Sequence, residues 1–288
     1  MSDNRRGAIL MNVAMLAFTL NDTCMKLVTT TLPLFQAITL RGVLTTAALL
    51  ILARWQGVAL WPPVARDRRI VALRSGAEVL ATVTFLVALT QMPLANLSAL
   101  MQSLPLAVTL AAVVFLRDPI GWRRMVAIMI GFAGVLLIIK PGAEGFDRWS
   151  LLGLASVLCV VVRDLSTRAI GATVSSTTVA VWAGVAVTLL GLVGSIWQGW
   201  QPVEGAEAGL IFLAAANLIV GYLTVVMTMR VGDVGFVAPF RYMALLWAIV
   251  LGFAVFGAWP DLLTLIGALI VVATGIFTFL RGRAAARP

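Results

Sequence analysis

Histidine is absent from the 288-residue sequence, charged residues make up only 11% of it, and cysteine occurs twice. The first absence excludes a histidine proton relay and any histidine-bearing metal site. Cys24 and Cys159 both fall inside apolar runs and match no metal-ligand spacing, so they point to neither a disulfide framework nor a metal cluster. Sparse charge is the most informative scarcity. A soluble domain carries about 25% charged and about 45–50% apolar residues. Here 61% of residues are hydrophobic and the mean hydropathy is +1.03, an excess that no soluble core could hide. Lipid is the natural solvent for such a chain. Phosphate-binding loops, nucleophile motifs and paired metal-binding acids are missing too, and the apolar runs leave no room for a large soluble domain. No catalytic residue, cofactor or metal is expected, and ATP is not the direct energy source.

Ten long apolar runs remain, and a membrane helix needs about 20 mostly apolar residues. Spans are predicted at 7–28, 34–54, 70–90, 96–116, 122–139, 151–170, 177–197, 209–229, 235–256 and 262–280. Breakers separate them: Pro33, Pro62, Pro63, Pro93, Pro119, Pro141, Gly142, Gly171, Pro202, Gly232 and Pro260. The first run follows Arg5 and Arg6 like a signal peptide, but Asn21-Asp22-Thr23 stands where a small-residue cleavage site would be, so a retained helix is expected.

The net charge of +9 sits in short clusters between spans, which membrane topology explains without a nucleic-acid partner. With the N-terminus in the cytoplasm, the inward gaps hold Arg54, Arg66, Arg68, Arg69 and Arg74, then Arg117, Arg123 and Arg124, then Arg168, then Arg230. The outward gaps hold Lys26, Lys140 and Arg148 among the acids Glu144, Asp147, Glu204, Glu207 and Asp261. This asymmetry is the positive-inside pattern, with both termini cytoplasmic.

The halves repeat at an offset near 140 residues. Asn21-Asp22 through Lys26 matches Arg163-Asp164 through Arg168, and Arg41-Gly42 matches Ala183-Gly184. Residues 96–102 match 235–241, Pro119 matches Pro260, and Gly134 matches Gly275. Five spans per half is an odd number, so the second half enters the membrane from the opposite side. The fold expected is an all-α integral membrane protein of ten transmembrane helices in two inverted five-helix repeats, 1–143 and 144–288. Inverted repeats are a device of secondary transporters, whose two halves exchange conformations around a midplane site. A channel does not require them.

Several motifs stand in order along both halves. The first has Pro93-Leu94-Ala95-Asn96-Leu97-Ser98-Ala99-Leu100, Pro105-Leu106, Arg117-Asp118-Pro119-Ile120 and Gly131-Phe132-Ala133-Gly134-Val135. The second answers with Val237-Ala238-Pro239-Phe240-Arg241-Tyr242, Phe256-Gly257-Ala258-Trp259-Pro260-Asp261 and Gly267-Ala268. These runs resemble the EamA repeat of the drug/metabolite transporter superfamily in two copies, and within it the ten-helix amino-acid exporters of the YddG type. The resemblance implies export of amino acids, aromatic ones included, or of similar small metabolites across a bacterial-type inner membrane by alternating access. Nucleobases, nucleosides and drugs are the alternative cargo. The acid usual after the fourth and ninth helices is Asp118 in the first copy and is replaced by Ala258 in the second.

An ionisable group inside a span costs about 2.5–3.5 kcal/mol on insertion scales and normally faces a cavity or a partner. Asp22/Lys26 and Asp164/Arg168 stand four apart, which places opposite charges on one helix face. They fit either helix-end ion pairs, the basic chain snorkelling to the interface, or a gate on each side. Arg41 lies at similar depth and is expected to pair with Asp22. Glu78 aligns with Asn217, and Gln102 with Arg241. These four are expected to converge on substrate, Glu78 taking an ammonium and Arg241 a carboxylate, unless they are polar glue between helices. Arg163 could join them, with Tyr222 and Trp247 as apolar walls. Gly131, Gly134 and Gly267 would let helices approach closely, inside the chain or in a homodimer.

Overall fold

The computed structural model describes residues 3–116, 121–140, 148–231 and 234–285. The motif 117–120, the acids Glu144 and Asp147, Gly232 and the 143/144 division lie outside them. Twelve α-helices follow one another: α1 (Asp3–Val28), α2 (Leu34–Trp55), α3 (Ala65–Gln91), α4 (Leu94–Met101), α5 (Leu104–Leu116), α6 (Trp122–Ile139), α7 (Trp149–Ala169), α8 (Ser176–Gln198), α9 (Gly205–Val231), α10 (Val234–Val237), α11 (Met243–Phe256) and α12 (Leu262–Ala285). A 3-10 helix, Ala238–Tyr242, leads into α11. Among the described residues ten segments are long and apolar enough to cross a membrane, as expected.

Two spans are not continuous. The fourth is α4 and α5, broken at Gln102-Ser103, and the ninth opens as the 3-10 helix before α11. Proline explains each. Pro105 has no N–H, and its ring collides with the carbonyl four residues back, Met101, where α4 ends. Pro239 sits in the first turn of the 3-10 helix. The breaks fall at matching places, since Gln102 aligns with Arg241. Helix α3 begins at Ala65, earlier than expected, because Arg66, Asp67, Arg68 and Arg69 form a polar first turn that hydropathy does not detect.

Helix pairing carries the repeat. The main partners are α1 with α9, α2 with α8, α3 with α7, and α6 with α12. In spans these are one with eight, two with seven, three with six, and five with ten. Exchanging every span for the one five further on turns this set of pairs into itself. A pseudo-twofold axis therefore runs between α2 and α8 and between α6 and α12.

Side chains on the axis obey the same exchange. A Cβ on Gly42 would come within 2.5 Å of Thr188 Oγ1, and one on Gly184 within 2.8 Å of Thr46 Oγ1. Thr46 and Thr188 share a hydrogen bond of 3.2 Å between them. At the other end of the axis, a Cβ on Gly134 would lie 2.9 Å from the Gly267 carbonyl. Gly131 likewise faces Leu106 and Thr274. These glycines let helices pack closely inside the chain. The α2–α8 pair is also tied at both ends. Gln36 exchanges two hydrogen bonds with the Gln201 backbone, 2.7 and 2.9 Å, and Thr177 donates to Gln56 at 2.7 Å.

Candidate functional site

Polar side chains of α1, α2, α3 and α7 meet inside the bundle. Glu78, at the middle of α3, lies 3.2 Å from Arg163 Nη1 of α7 through one oxygen and 3.2 Å from Arg74 Nη1 through the other. The Arg163 contact is a hydrogen bond. Arg74 Nη1 is close enough for an ion pair but badly angled for a hydrogen bond, and the Arg74 Nε donates instead to Thr167 at 3.2 Å. Arg163 also grips Asp164 through Nε at 3.0 Å and Nη2 at 2.9 Å. One guanidinium thus bridges two carboxylates, a geometry that a planar, permanently charged fork suits better than an ammonium would.

A second group lies towards the other end of the bundle. Arg41 of α2, only 7% exposed, donates from Nη1 to Asn21 Oδ1 at 3.1 Å, and Asn21 Nδ2 donates to Asp22 Oδ1 at 2.9 Å. Asn21 therefore bridges the Arg41 and Asp22 pair expected from sequence. Helix α1 of this second group touches α3 of the first, so the two groups share one bundle. Together they hold three guanidinium groups, Arg41, Arg74 and Arg163, against three carboxyl groups, Asp22, Glu78 and Asp164.

Two expected ion pairs, Asp22/Lys26 and Asp164/Arg168, are replaced by others, and Glu78 and Arg241 do not converge. Lys26 does not pair with Asp22. Its Nζ donates to the carbonyls of Leu89 and, at 2.8 Å, Met92, at the C-terminal end of α3, and lies over the Phe256 ring. Cations are favoured there because the last carbonyls of a helix lack internal donors. Asp164 pairs with Arg163 rather than Arg168, which is exposed in the last turn of α7. Glu78 pairs with Arg163 and Arg74 rather than Arg241, which is exposed on the 3-10 helix. Matching depth in the repeat does not bring Glu78 and Arg241 together, because α3 packs on α7 and its charges answer α7's.

The remaining candidates are spread more widely. Gln102 is buried at the α4–α5 break. Asn217 donates to its own helix, at Leu213 O, 2.9 Å. Tyr222 is half-buried on α9. Trp247 donates from Nε1 to Asn12 Oδ1 at 2.8 Å, in a cluster with Phe18, Phe240 and Met243. Arg74, Asn21 and Asn12 take part without standing among the residues expected from the sequence. Arg74 stands four residues before Glu78, the spacing that marks the Asp22/Lys26 and Asp164/Arg168 pairs.

The sequence profile of the EamA-like transporter family matches residues 5–140 and again residues 147–280. The chain belongs to this family. Among the relatives it matches, the S-adenosylmethionine uptake transporter of Rickettsia conorii is 28% identical over 192 residues, 66% of this chain and 64% of that one. A riboflavin transporter of Vibrio cholerae is 27% identical over 180 residues, 62% of this chain and 60% of that one. These two matches thus span less than two thirds of the relatives' own length. The pseudopaline exporter CntI of Pseudomonas aeruginosa is 24% identical over 279 residues, 94% of this chain and 95% of that one. A solved crystal structure superposes with a TM-score of 0.62 over 97% of this chain and 99% of the other, at 19% identity, which shows a shared fold.

Proposed function

We propose that this EamA-family protein is a secondary transporter that exports small zwitterionic metabolites, amino acids foremost and aromatic ones included, across a bacterial inner membrane by alternating access. The observation that carries the proposal is the set of three guanidinium and three carboxyl groups inside the bundle. A charged solute must shed water near mid-membrane, and something must replace those hydrogen bonds. Glu78 and Arg163 satisfy each other when the site is empty. On loading, the substrate ammonium takes Glu78, and its carboxylate takes Arg163 with Arg74. Arg41, held by Asn21 and Asp22, carries the polar path onward. Gln102 and Arg241 mark the breaks in the fourth and ninth spans, and Asn217, Tyr222 and Trp247 line the flanks. The units that exchange conformation are the halves 1–143 and 144–288, with both termini cytoplasmic.

Flux into proteoliposomes tests this directly. Labelled amino acids should accumulate in a protein-dependent way, and repeating the assay with and without a proton gradient separates coupled transport from uniport. Folded, reconstituted protein that moves none of a broad amino-acid panel would overturn the substrate class. The names of the relatives favour a second cargo, a larger metabolite such as riboflavin or S-adenosylmethionine. The same liposomes supplied with those compounds decide between the two.

A further inference from the structure

A cavity of about 280 Å³ opens on the side of the bundle where α1 begins, lined by Arg5, Ala8, Ile9, Asn12, Phe236 and Phe240. The four α1 residues are spaced i, i+3, i+4, i+7 and so share one helix face. Phe236 and Phe240 form the opposite wall, their ring centroids 5.9 Å apart. At 1.5 Å per residue, Arg5 and Asn12 lie about 10 Å apart along the helix axis. The polar layer of each leaflet is about 5–7 Å deep outside a hydrocarbon core of about 30 Å. With Arg5 at the charged level, Asn12 lies just inside the hydrocarbon.

The chemistry changes along that depth. Arg5 is exposed at the mouth, Arg6 stands beside it, and among the described residues neither has an ion-pair partner; Asp3 is the one acid nearby in the first turn. Ala8, Ile9 and the two phenylalanines make the middle apolar. At the floor, Asn12 accepts the Trp247 indole proton through Oδ1. Among the described residues its Nδ2 has no hydrogen-bond partner, and Asn12 lines the cavity, so this donor is available to an acceptor there. A ligand that fits has an anion at one end, an acceptor about 10 Å deeper and apolar chain between and beyond.

We propose that this cavity binds one acidic phospholipid, its phosphate at Arg5, an ester carbonyl at Asn12 and an acyl chain along Ile9, Phe236 and Phe240. Charge decides the class of headgroup. Arg5 and Arg6 attract a headgroup of net negative charge, while a zwitterionic one would bring its own cation against them. Basic pockets between membrane helices take anionic headgroups for this reason. The lipid would brace α1 against the 3-10 helix that opens the ninth span. None of the charged groups around Glu78 lines this cavity, and Trp247 meets it only through the Asn12 hydrogen bond, so the proposal does not depend on the identity of the substrate.

Native mass spectrometry of the purified chain, titrated with phosphatidylglycerol or phosphatidylcholine, tests it. The expected result is one phosphatidylglycerol retained at least about tenfold more tightly than phosphatidylcholine, a difference of about 1.4 kcal/mol. Arg5→Gln should remove that preference, and Ile9→Trp, which fills the cavity, should remove the bound lipid. Both residues are exposed on α1, so neither change disturbs the core. Arg68→Gln, at a cation packed on Trp61 outside the cavity, should leave the preference intact. Equal retention of the two lipids, or a preference unchanged in both variants, overturns the proposal. Displacement by glycerol phosphate at equal concentration overturns it in favour of a phosphate site, and displacement by a transported amino acid in favour of a substrate portal.

Discussion

Arg163 sits between Glu78 and Asp164, and the charge on each of the three is tolerable only because the others are present. Removing one member of a buried ion pair costs about 3–5 kcal/mol in soluble proteins, because it strands the other. Glu78→Gln and Arg163→Gln should each lower the initial transport rate at least about tenfold while the protein still inserts and elutes as a single species. The double variant should lose less than the two single losses combined, by a coupling within about 0.5–3 kcal/mol. Wild-type kinetics in both single variants would leave the cluster as structural glue. Arg241→Gln is the companion measurement. The exposed position of Arg241 and its separation from the Glu78 partners lead to a smaller effect than Arg163→Gln.

A second residue-scale prediction concerns Lys140 and Asp261, which pair at 2.6 Å where α6 ends and α12 begins. Burial would raise the Asp261 pKa, but hydrogen bonds from Lys140 and from Thr264 outweigh it and hold the carboxyl at about 2. A depressed carboxylate stabilises the fold above its ordinary pKa of 3.8 and loses that contribution as pH falls through about 2. The Asp261 side chain is 44% exposed, so solvent screening keeps the contribution below about 1 kcal/mol. The melting temperature of Asp261→Asn should fall slightly below wild type at neutral pH, and the gap should close between pH 4 and pH 2. A gap that persists at pH 2 would show that the pair is not its source.

At the scale of elements, the two interrupted spans and the two axial helix pairs make separate demands. Pro105→Ala restores an N–H and removes the clash with Met101 O, so α4 and α5 should run on as one helix through Gln102. Stability should hold or rise, and the transport rate should fall, because the break presents Gln102 at the depth where Arg241 stands in the other half. An unchanged rate would make the break a packing detail. Gly134→Leu should act through stability. Its side chain has no room against the Gly267 carbonyl, and overpacking of this kind costs about 1–3 kcal/mol. Thermal unfolding in detergent measures it, with Gly76→Leu, which meets nothing within 4 Å, as the control. The span count was legible in hydropathy alone. The interruptions were only half legible, since Pro105 and Pro239 are plain in the sequence, but whether a proline kinks, breaks or merely starts a helix depends on what satisfies the freed carbonyls nearby.

For the whole molecule, the arginine asymmetry predicts that both termini lie on the cytoplasmic side. In a background lacking Cys24 and Cys159, a cysteine placed at 204–207 should react with an impermeant reagent from outside intact cells. Reaction only after the membrane is opened would invert the topology. Composition, the period of apolar runs, the arginine bias and the 140-residue offset were enough for the ten spans and the repeat, because each span must satisfy its backbone internally and so declares itself locally. Which charges meet was decided by the tertiary structure. Asp22 and Lys26 stand four apart on one helix yet take different partners, one through Asn21 to Arg41 and the other at the end of α3. Glu78 answers Arg163, 85 positions away, rather than the residue at matching depth. Sequence spacing fixes the face of a helix on which a side chain stands. Only the packing of α3 on α7, and of α1 beside α2 and α3, fixes what that face meets, and for long side chains in a medium without water the nearest group that can satisfy the charge wins.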